Sequence, residues 1–253
     1  MDRELAVIAL GFDADAVQYA DAWAIQRDLH ARRVAGEIPD TCLLLEHQPV
    51  YTAGRRTSPA DRPAGDPGAP VIDVDRGGKI TWHGPGQLVG YPIVALDEPI
   101  DVIGYVRAIE EALIRTCADV GLETDRVTGR SGVWVRGTSG TQDRKVAAIG
   151  IRVARGVTMH GFALNCDNDL AWFDRIVPCG ISDASVTTLS AERGRRIPVH
   201  AVLYPIVNNL ADVLGASRVS RGTRYDLPAS SAARLTISSP HAEGTGSVLT
   251  RAP

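Results

Sequence analysis

Residues 145–164, KVAAIGIRVARGVTMHGFAL, decide the fold class of this chain. The runs VAAIGIRV and VTMHGFAL predict two strands, and the Ala154, Arg155 and Gly156 segment between them predicts a tight turn. Further strands are predicted at 4–12, 41–47, 71–75, 79–83, 87–94 and 132–136. Helices are predicted at 13–34, 102–120 and 198–214. Runs of strands with segregated helices predict an α+β domain with a mixed or antiparallel sheet and flanking helices.

The predicted helices follow from apolar spacing and from cap residues. We expect Asp13 or Asp15 to cap the first helix, and Pro198 to open the last one, with a kink at Pro205. The middle helix places Cys117 on an apolar stripe, which makes it a core residue.

Length and composition predict one folded domain over residues 1–225 and a disordered tail over 226–253, which has few large apolar residues. The Pro- and Gly-rich stretch at 55–70 predicts a mobile surface loop. A net charge of −3 argues against nucleic-acid binding, and no apolar run reaches the length of a bilayer span. We therefore expect a cytoplasmic protein without membrane contact.

The four cysteines lack the spacing of a zinc site, so no metal is expected. Cys42 lies inside an apolar strand, whereas Cys179 lies between Pro178 and Gly180 in a predicted turn. A cysteine reacts as thiolate and needs a cation or a base beside it. Cys179 is therefore the candidate nucleophile, and the alternative is a small residue that fills a tight turn.

Lysine is rare in this chain: of 27 basic residues only Lys79 and Lys145 are lysines. Arginine keeps its proton in proteins, whereas lysine can give it up and take it back. Lys145 opens the strand VAAIGIRV and is the candidate base for Cys179. Chance survival in an arginine-rich composition is the alternative, and for Lys79 it would suffice.

Small residues on the hairpin predict a groove. Strand alternation puts Ala148 and Gly150 on one face of the first strand, and Gly161 and Ala163 on one face of the second. If the two faces coincide, the groove fits a linear aliphatic chain, for which each buried methylene is worth about 0.8 kcal/mol. The alternative is that small residues only permit close packing.

The glycine-rich segment at 76–86, RGGKITWHGPG, is the candidate second wall of this site. It matches neither the Walker pattern nor GxGxxG, so it is not a standard nucleotide-binding loop. Its Lys79 and His83 could meet a polar head group, and His160 is a further candidate for a polar contact. The other histidines are interpreted as structural.

With these residues in view, the chain resembles the lipoyl(octanoyl) transferase family of lipoate biosynthesis over about residues 5–215. The resemblance depends on the order and spacing of separated motifs, which are EHQPVYTAGRR at 46–56, RGGKITWHGPGQLVGYPI at 76–93, KVAAIGIRV at 145–153, HGFALN at 160–165 and PCGI at 178–181. It implies a fold shared with biotin and lipoate protein ligases, and makes residues 1–225 an acyltransferase catalytic domain.

The resemblance implies a cytoplasmic enzyme, without cofactor, that moves an octanoyl group from octanoyl-acyl carrier protein to a lysine of a lipoyl domain. The acceptors would be lipoyl domains of 2-oxoacid dehydrogenase complexes or the glycine cleavage H protein. The cysteine matching Cys179 would carry the acyl thioester, with Lys145 as its acid/base partner. The implied substrate contacts are Arg76, Gly77, Gly78, Lys79, Ile80, Thr81, Trp82, His83, Ala148, Ile149, Gly150, Gly161, Phe162 and Ala163.

Two other functions fit the same sequence. An ATP-dependent lipoate or biotin ligase of this architecture would activate a free acid and need no cysteine. A non-catalytic acyl-binding protein would have the groove alone.

Overall fold

The computed structural model describes residues 3–138, 140–176, 185–222 and 225. The described strands are β1 (Arg3–Ala9), β2 (Asp40–Leu45), β3 (Val50–Ala53), β4 (Val71–Asp73), β5 (Thr81–His83), β6 (Gln87–Ile93), β7 (Asp125–Val127), β8 (Arg130–Val135), β9 (Arg144–Ala154), β10 (Val157–Asn165), β11 (Ser185–Val186) and β12 (Ala216–Gly222). The described helices are α1 (Tyr19–Val34), α2 (Val102–Asp119), α3 (Leu189–Arg193) and α4 (His200–Val213). Short 3₁₀ helices lie at Asp13–Asp15, Pro59–Asp61 and Leu170–Arg175.

Nine of the described strands form the main sheet, in the order β12-β1-β2-β6-β10-β9-β8-β7, with β11 added beside β9. Strand β1 is parallel to both β12 and β2, and β11 is parallel to β9. The pairs from β2 through β6, β10, β9 and β8 to β7 are antiparallel. The sheet is therefore mixed, and the predicted α+β class is confirmed.

The centre of the main sheet is buried on both faces, which explains the apolar sequences of its central strands. All residues of β2, β6 and β10 are buried. Helices α2 and α4 cover one face, where Ile109, Leu113 and Cys117 join the larger core as predicted. Helix α1 covers the other face through Ala22, Ile25 and Leu29.

A second sheet of three strands, in the order β4-β3-β5, lies beside the main one. Its β5 contacts the 3₁₀ helix Leu170–Arg175, and Trp82 of β5 packs against Trp172 and Phe173 there. This small sheet carries the glycine-rich segment to the main sheet: the backbone N–H of Gly77 donates to the carbonyl of Ile151 at 2.9 Å.

The structure corrects the predicted start of the first helix. Asp13–Asp15 is a separate 3₁₀ turn, Asp13 has a left-handed backbone (φ 52°), and α1 begins only at Tyr19. The cause is tertiary: Val17 pairs with His47 in an isolated bridge, so the chain runs beside the end of β2 before it can turn into the helix. Neither aspartate caps α1.

The stretch at 55–70 has more structure than a loop prediction implies. It contains the 3₁₀ helix Pro59–Asp61, capped by Ser58, and Asp61 is buried against Lys79. Of the described helices, none is both long and apolar enough to cross a bilayer. The predicted tail at 226–253 lies outside the described residues.

Candidate functional site

A cavity of about 290 Å³ separates the β9–β10 hairpin from the glycine-rich segment. We call its lining from β8, β9 and β10, with the turn before β8, the main-sheet wall, and its lining from 76–83 with Arg56 the small-sheet wall. The described lining residues are Tyr19, Arg56, Arg76, Gly78, Lys79, Thr81, His83, Tyr91, Gly129, Arg130, Ser131, Lys145, Ala148, Ile149, Gly150, His160, Gly161, Phe162 and Ala163.

The two small-residue faces of the hairpin coincide. Gly150 lies opposite Gly161, and Ala148 lies opposite Ala163, so each pair shares a face of the sheet. A Cβ at Gly161 would lie 2.1 Å from the carbonyl oxygen of Gly90. The predicted groove and the alternative of close packing are therefore both realised, the latter at Gly161, where only glycine lets β10 approach β6.

Lys145 lies on the main-sheet wall at the start of β9 and is only 7% exposed. Its Nζ is 4.6 Å from the ring centroid of Trp134, its cross-strand partner in β8. Gly132 makes room for the lysine stem, because a Cβ there would lie 3.3 Å from Lys145 Cε. The Lys145 side chain therefore lies between the ring of Trp134 and the backbone of Gly132.

A buried carboxylate supports this arrangement from behind. Glu110 of α2 has no exposed surface, and its Oε1 accepts the backbone N–H of Gly132 at 3.0 Å. Its Oε2 pairs with Arg107 at 2.6 Å and with Arg126 at 3.2 Å. Gly132 has φ 111°, a backbone conformation that residues with a side chain rarely adopt. Its hydrogen bond to Glu110 holds this part of β8 in the position that leaves room for the Lys145 side chain.

On the small-sheet wall, Arg76 is used as a structural brace. Its guanidinium donates to the carbonyls of Gly77, Lys79 and Thr52 at 2.6–2.9 Å. Lys79 donates to Asp61 at 2.8 Å. That pairing, with bonds from Ser58, holds the pKa of the Asp61 carboxyl at about 2.

Three of the predicted contacts in this segment do not line the cavity, namely Gly77, Ile80 and Trp82. Ile80 and Trp82 are buried with Tyr51 and Phe173 behind the wall. Strand alternation explains the split, because Thr81 and His83 face the cavity and Trp82 faces away.

His83 is fixed as a neutral ring. Its Nδ1 donates to Gln87 Oε1 at 2.8 Å, and its Nε2 accepts the hydroxyl of Thr52 at 3.3 Å. Burial, and then the nearby His47, lower the pKa of His83 well below its usual value. Both ring nitrogens of His83 are therefore engaged in hydrogen bonds with neighbouring side chains.

His160 lines the cavity and contacts the ion pair between Asp75 and Arg152. Its Nε2 donates to Asp75 at 2.7 Å, and Arg152 also pairs with Asp75. Burial lowers the pKa of His160, although the hydrogen bond to Asp75 opposes that effect. Its Nδ1 is buried without a hydrogen-bond partner among the described residues.

The thiols of Cys42, Cys117 and Cys166 are buried in the core. Burial raises the pKa of Cys42 and of Cys117 to about 12, and raises that of Cys166 as well. None of the three can supply a thiolate near neutral pH.

The predicted nucleophile Cys179 lies outside the described residues, in the segment 177–184. After this segment the chain forms β11, in which Val186 pairs with Lys145. Among the described residues, no group of three or more His, Cys, Asp or Glu side chains could hold a metal ion.

Several lining residues escaped the sequence prediction, namely Tyr19, Arg56, Tyr91, Gly129, Arg130 and Ser131. Arg56 is the last residue of the motif EHQPVYTAGRR at 46–56, so its place in that motif could have marked it as a candidate site residue. Tyr19 and Arg130 come from elements distant in the chain, and no local pattern marks them.

Known proteins resemble this chain in sequence and in fold. The sequence model of the family described as Lipoyl protein ligase A/B catalytic domain matches residues 18–211. An octanoyltransferase of Thermobifida fusca is 63% identical over 207 residues, which cover 81% of this chain and 88% of that protein. An octanoyltransferase of Mycobacterium avium is 63% identical over 198 residues, which cover 78% and 84%.

Among solved structures, a bi-partite lipoate protein ligase from Thermoplasma acidophilum, studied with its E2 lipoyl domain, has the same fold. The TM-score is 0.60 at 13% sequence identity, with 93% of this chain and 90% of that chain covered. At this identity the likeness shows the fold alone, and the predicted ligase-like core is confirmed.

Proposed function

Because the chain belongs to the lipoyl protein ligase A/B catalytic-domain family, and within it to the octanoyltransferases, we propose that it transfers an octanoyl group from octanoyl-acyl carrier protein to a lysine of a lipoyl domain. It is an acyltransferase, and its octanoyl group would pass through a thioester on Cys179. The acceptors would be lipoyl domains of 2-oxoacid dehydrogenase complexes or the glycine cleavage H protein, and the location cytoplasmic.

In the first half of the proposed reaction, the amine of Lys145 takes the proton of the Cys179 thiol. The thiolate attacks the octanoyl carbonyl, a new carbon–sulfur bond forms, and the bond to the carrier sulfur breaks. The leaving carrier thiolate takes the proton back from the Lys145 ammonium. Protons and electrons balance without a further reactant.

In the second half, the amine of the acceptor lysine attacks the enzyme thioester. A carbon–nitrogen bond forms and Cys179 leaves as thiolate, while Lys145 accepts the proton that the amine loses. A thioester is exchanged for an amide, which is the more stable linkage. The reaction therefore proceeds without ATP.

The observation that carries this proposal is the placement of Lys145. The one lysine of the main-sheet wall lies at the edge of the small-residue floor, held against Trp134. Val186 pairs with it only seven residues after Cys179 in the chain. A nucleophile in the connecting segment needs little chain to reach the amine.

The floor made by Ala148, Gly150, Gly161 and Ala163 would take the octanoyl chain. Phe162 and Ile149 join the core between sheet and helices, so they would contribute backbone to the groove. On the opposite wall, Gly78, Lys79, Thr81 and His83 would line the polar end. Gly77, Ile80 and Trp82 do not line the cavity and would support the small-sheet wall from behind.

Intact mass of the protein after mixing with octanoyl-acyl carrier protein tests the proposal. We expect one added octanoyl group, absent in Cys179→Ser and discharged when a lipoyl domain is added. A protein that gains no covalent mass would be an acyl-binding protein instead. Product formed from free octanoate only with ATP and magnesium would mean a ligase.

A further inference from the structure

The small-residue floor of the cavity ends abruptly at one end of the hairpin. The next residue after Gly150 on the same face of β9 is Arg152. In β10, the residue beside Gly161 at this end is His160. Both of these large side chains contact Asp75, His160 through its Nε2 at 2.7 Å and Arg152 through an ion pair. Three linked polar side chains therefore follow directly on the floor.

His160 reaches the cavity because its backbone is left-handed. Regular strand alternation would place it on the face of Phe162 and Leu164, which pack in the core with α2 and α4. Its φ is 57°, and the ring lies instead beside α1, with its centroid 6.3 Å from that of Trp23, and lines the cavity. Residues with a side chain rarely adopt this backbone conformation, and functional sites are where such residues cluster.

The small-sheet wall meets the floor at the same end. A Cβ at Gly150 would lie 3.1 Å from Cδ of Arg76 and 3.2 Å from the carbonyl oxygen of Gly77. The backbone N–H of Gly77 also donates to the carbonyl of Ile151, the cross-strand partner of His160, at 2.9 Å. The two walls are therefore in contact at the His160 end of the groove.

The distance from Lys145 to this end suits an octanoyl chain. A Cβ at Gly132 would contact both Cε of Lys145 and the carbonyl of Ala147, so the end of the lysine side chain is level with Ala147. From there to Ile151 is four residues of β9, about 13 Å along the strand. An extended chain of eight carbons spans about 8 Å, at the length per bond of an extended polypeptide. With its carbonyl beside Lys145, the chain therefore ends about one contact distance, roughly 4 Å, from the level of His160.

We propose that His160, held by Asp75, forms the end wall of the acyl groove and limits the length of the acyl chain that the enzyme accepts. The inference rests on the proposed function and extends it, because it assigns chain-length selection to a residue beyond the small-residue floor. Burial lowers the pKa of His160, so a neutral ring faces the apolar chain end. Two further methylenes would have to displace this ring and break its hydrogen bond to Asp75.

The test is single-turnover acylation of Cys179, followed by intact mass, with octanoyl-, decanoyl- and dodecanoyl-acyl carrier protein below saturation. We expect the wild type to react at least about tenfold more slowly with the decanoyl donor than with the octanoyl donor, as for a methylene that a pocket cannot hold. In His160→Gly the space of the ring becomes available, and glycine adopts the left-handed backbone readily. The ratio of the decanoyl rate to the octanoyl rate should therefore rise by about tenfold or more.

Arg155→Gly is the matched control. Arg155 also has a left-handed backbone on this hairpin, with φ 51°, but it is exposed and does not line the cavity. Its replacement should keep the wild-type ratio. His160→Asn is a second test variant, because asparagine tolerates this backbone and is smaller than histidine. It should raise the ratio less than glycine does, and it decides the question if thermal unfolding shows that the glycine variant does not fold.

Equal rates with the three donors in the wild type would overturn the proposal. So would an unchanged ratio in a folded His160 variant, which would mean that another part of the cavity limits the chain. An equal rise in Arg155→Gly would also overturn it, because loosening of the hairpin would then explain the effect. Failure of every donor to acylate Cys179 would instead refute the proposed function, and the inference with it.

Discussion

The floor of the main-sheet wall is built from backbone and small side chains, whereas the small-sheet wall is held in place by long basic side chains. On the first wall, a paired hairpin fixes the floor through Ala148 and Ala163. On the second, Arg76 and Lys79 hold the glycine-rich segment through carbonyls and a carboxylate. Strand pairing therefore determines the shape of the main-sheet wall, and interactions of charged side chains determine the shape of the small-sheet wall.

Each wall is anchored from behind by one buried acid. Glu110 accepts a backbone N–H and two arginines behind the main-sheet wall, and Asp61 accepts Lys79 behind the small-sheet wall. Glu110 is inaccessible to solvent, and one of its partners, Gly132, lies in β8, the strand that pairs with Lys145. We therefore expect turnover to be most sensitive to substitutions on or directly behind the main-sheet wall.

The largest effect is expected from Lys145→Arg on that wall. Arginine keeps the positive charge but cannot take up the proton, so turnover should fall by about 10²- to 10⁴-fold, the range of general acid–base catalysis. The rate of octanoyl transfer to a lipoyl domain measures this, with thermal unfolding as the check on folding. A stable variant with wild-type turnover would refute the acid/base role.

The next largest effect is expected from Glu110→Gln. Loss of the buried charge removes the ion pairs with Arg107 and Arg126, both of which are partly exposed, and Arg126 keeps its pair with Glu111. The free energy of unfolding should therefore fall by about 1.5–3 kcal/mol, the range for a hydrogen bond to a charged group. We also expect kcat to fall, by about tenfold, because Gly132 and Lys145 lose their support. Denaturant unfolding and kcat together measure the two effects.

Asp40→Asn is the matched control for Glu110→Gln. Asp40 is also buried, pairs with Arg3 and Arg33 and accepts a backbone N–H, that of Ala95, but it does not line the cavity. It should lose stability with little change in kcat at a temperature where it stays folded. An equal loss of kcat in the two variants would mean that Glu110 acts only through stability.

A smaller effect on turnover is expected from acid, through His47, whose buried ring contacts those of Tyr19, His83 and Tyr91. His47 Nδ1 donates to the carbonyl of Val17, its Nε2 accepts the Tyr91 hydroxyl, and burial lowers its pKa to about 4. The unfolded chain binds this proton near pH 6.5 and the folded chain only near 4. Stability is therefore full above pH 6.5 and is lost as the pH falls, by roughly 3 kcal/mol over the range.

Urea unfolding at several pH values between 7 and 4 measures this loss. His47→Gln should be less stable at pH 7 but should lose less stability on acidification than the wild type. The Asp61 anchor behaves differently, because its pKa of about 2 keeps its contribution intact above pH 4. An unchanged slope in the His47 variant would contradict the assignment.

The main-sheet wall was largely predictable from the sequence, because it is a local hairpin. Alternation in 146–153 and 157–164 fixed the strands, and the turn at Arg155 and Gly156 fixed their register. The ends of α2 were predicted equally well, since apolar spacing continues along the whole helix.

The small-sheet wall was harder to predict because its partners are distant in the chain. Strand β3 was missed, because its four residues lie between the predicted strand at 41–47 and the predicted loop at 55–70 and were assigned to neither. Its partner β5 is some thirty residues further along the chain. The late start of α1 depends on the bridge from Val17 to His47, which no local signal reveals. Tyr19 and Arg130 reach the cavity only through such long-range contacts.

The parallel pairing of β1 with β12 has a consequence for synthesis of the chain. The first strand lies between β2 and the last described strand, so one of its edges stays open until residues 216–222 leave the ribosome. An open strand edge is a template for association with other chains. Nascent or prematurely terminated chains that lack this last strand should therefore be the forms most prone to aggregate.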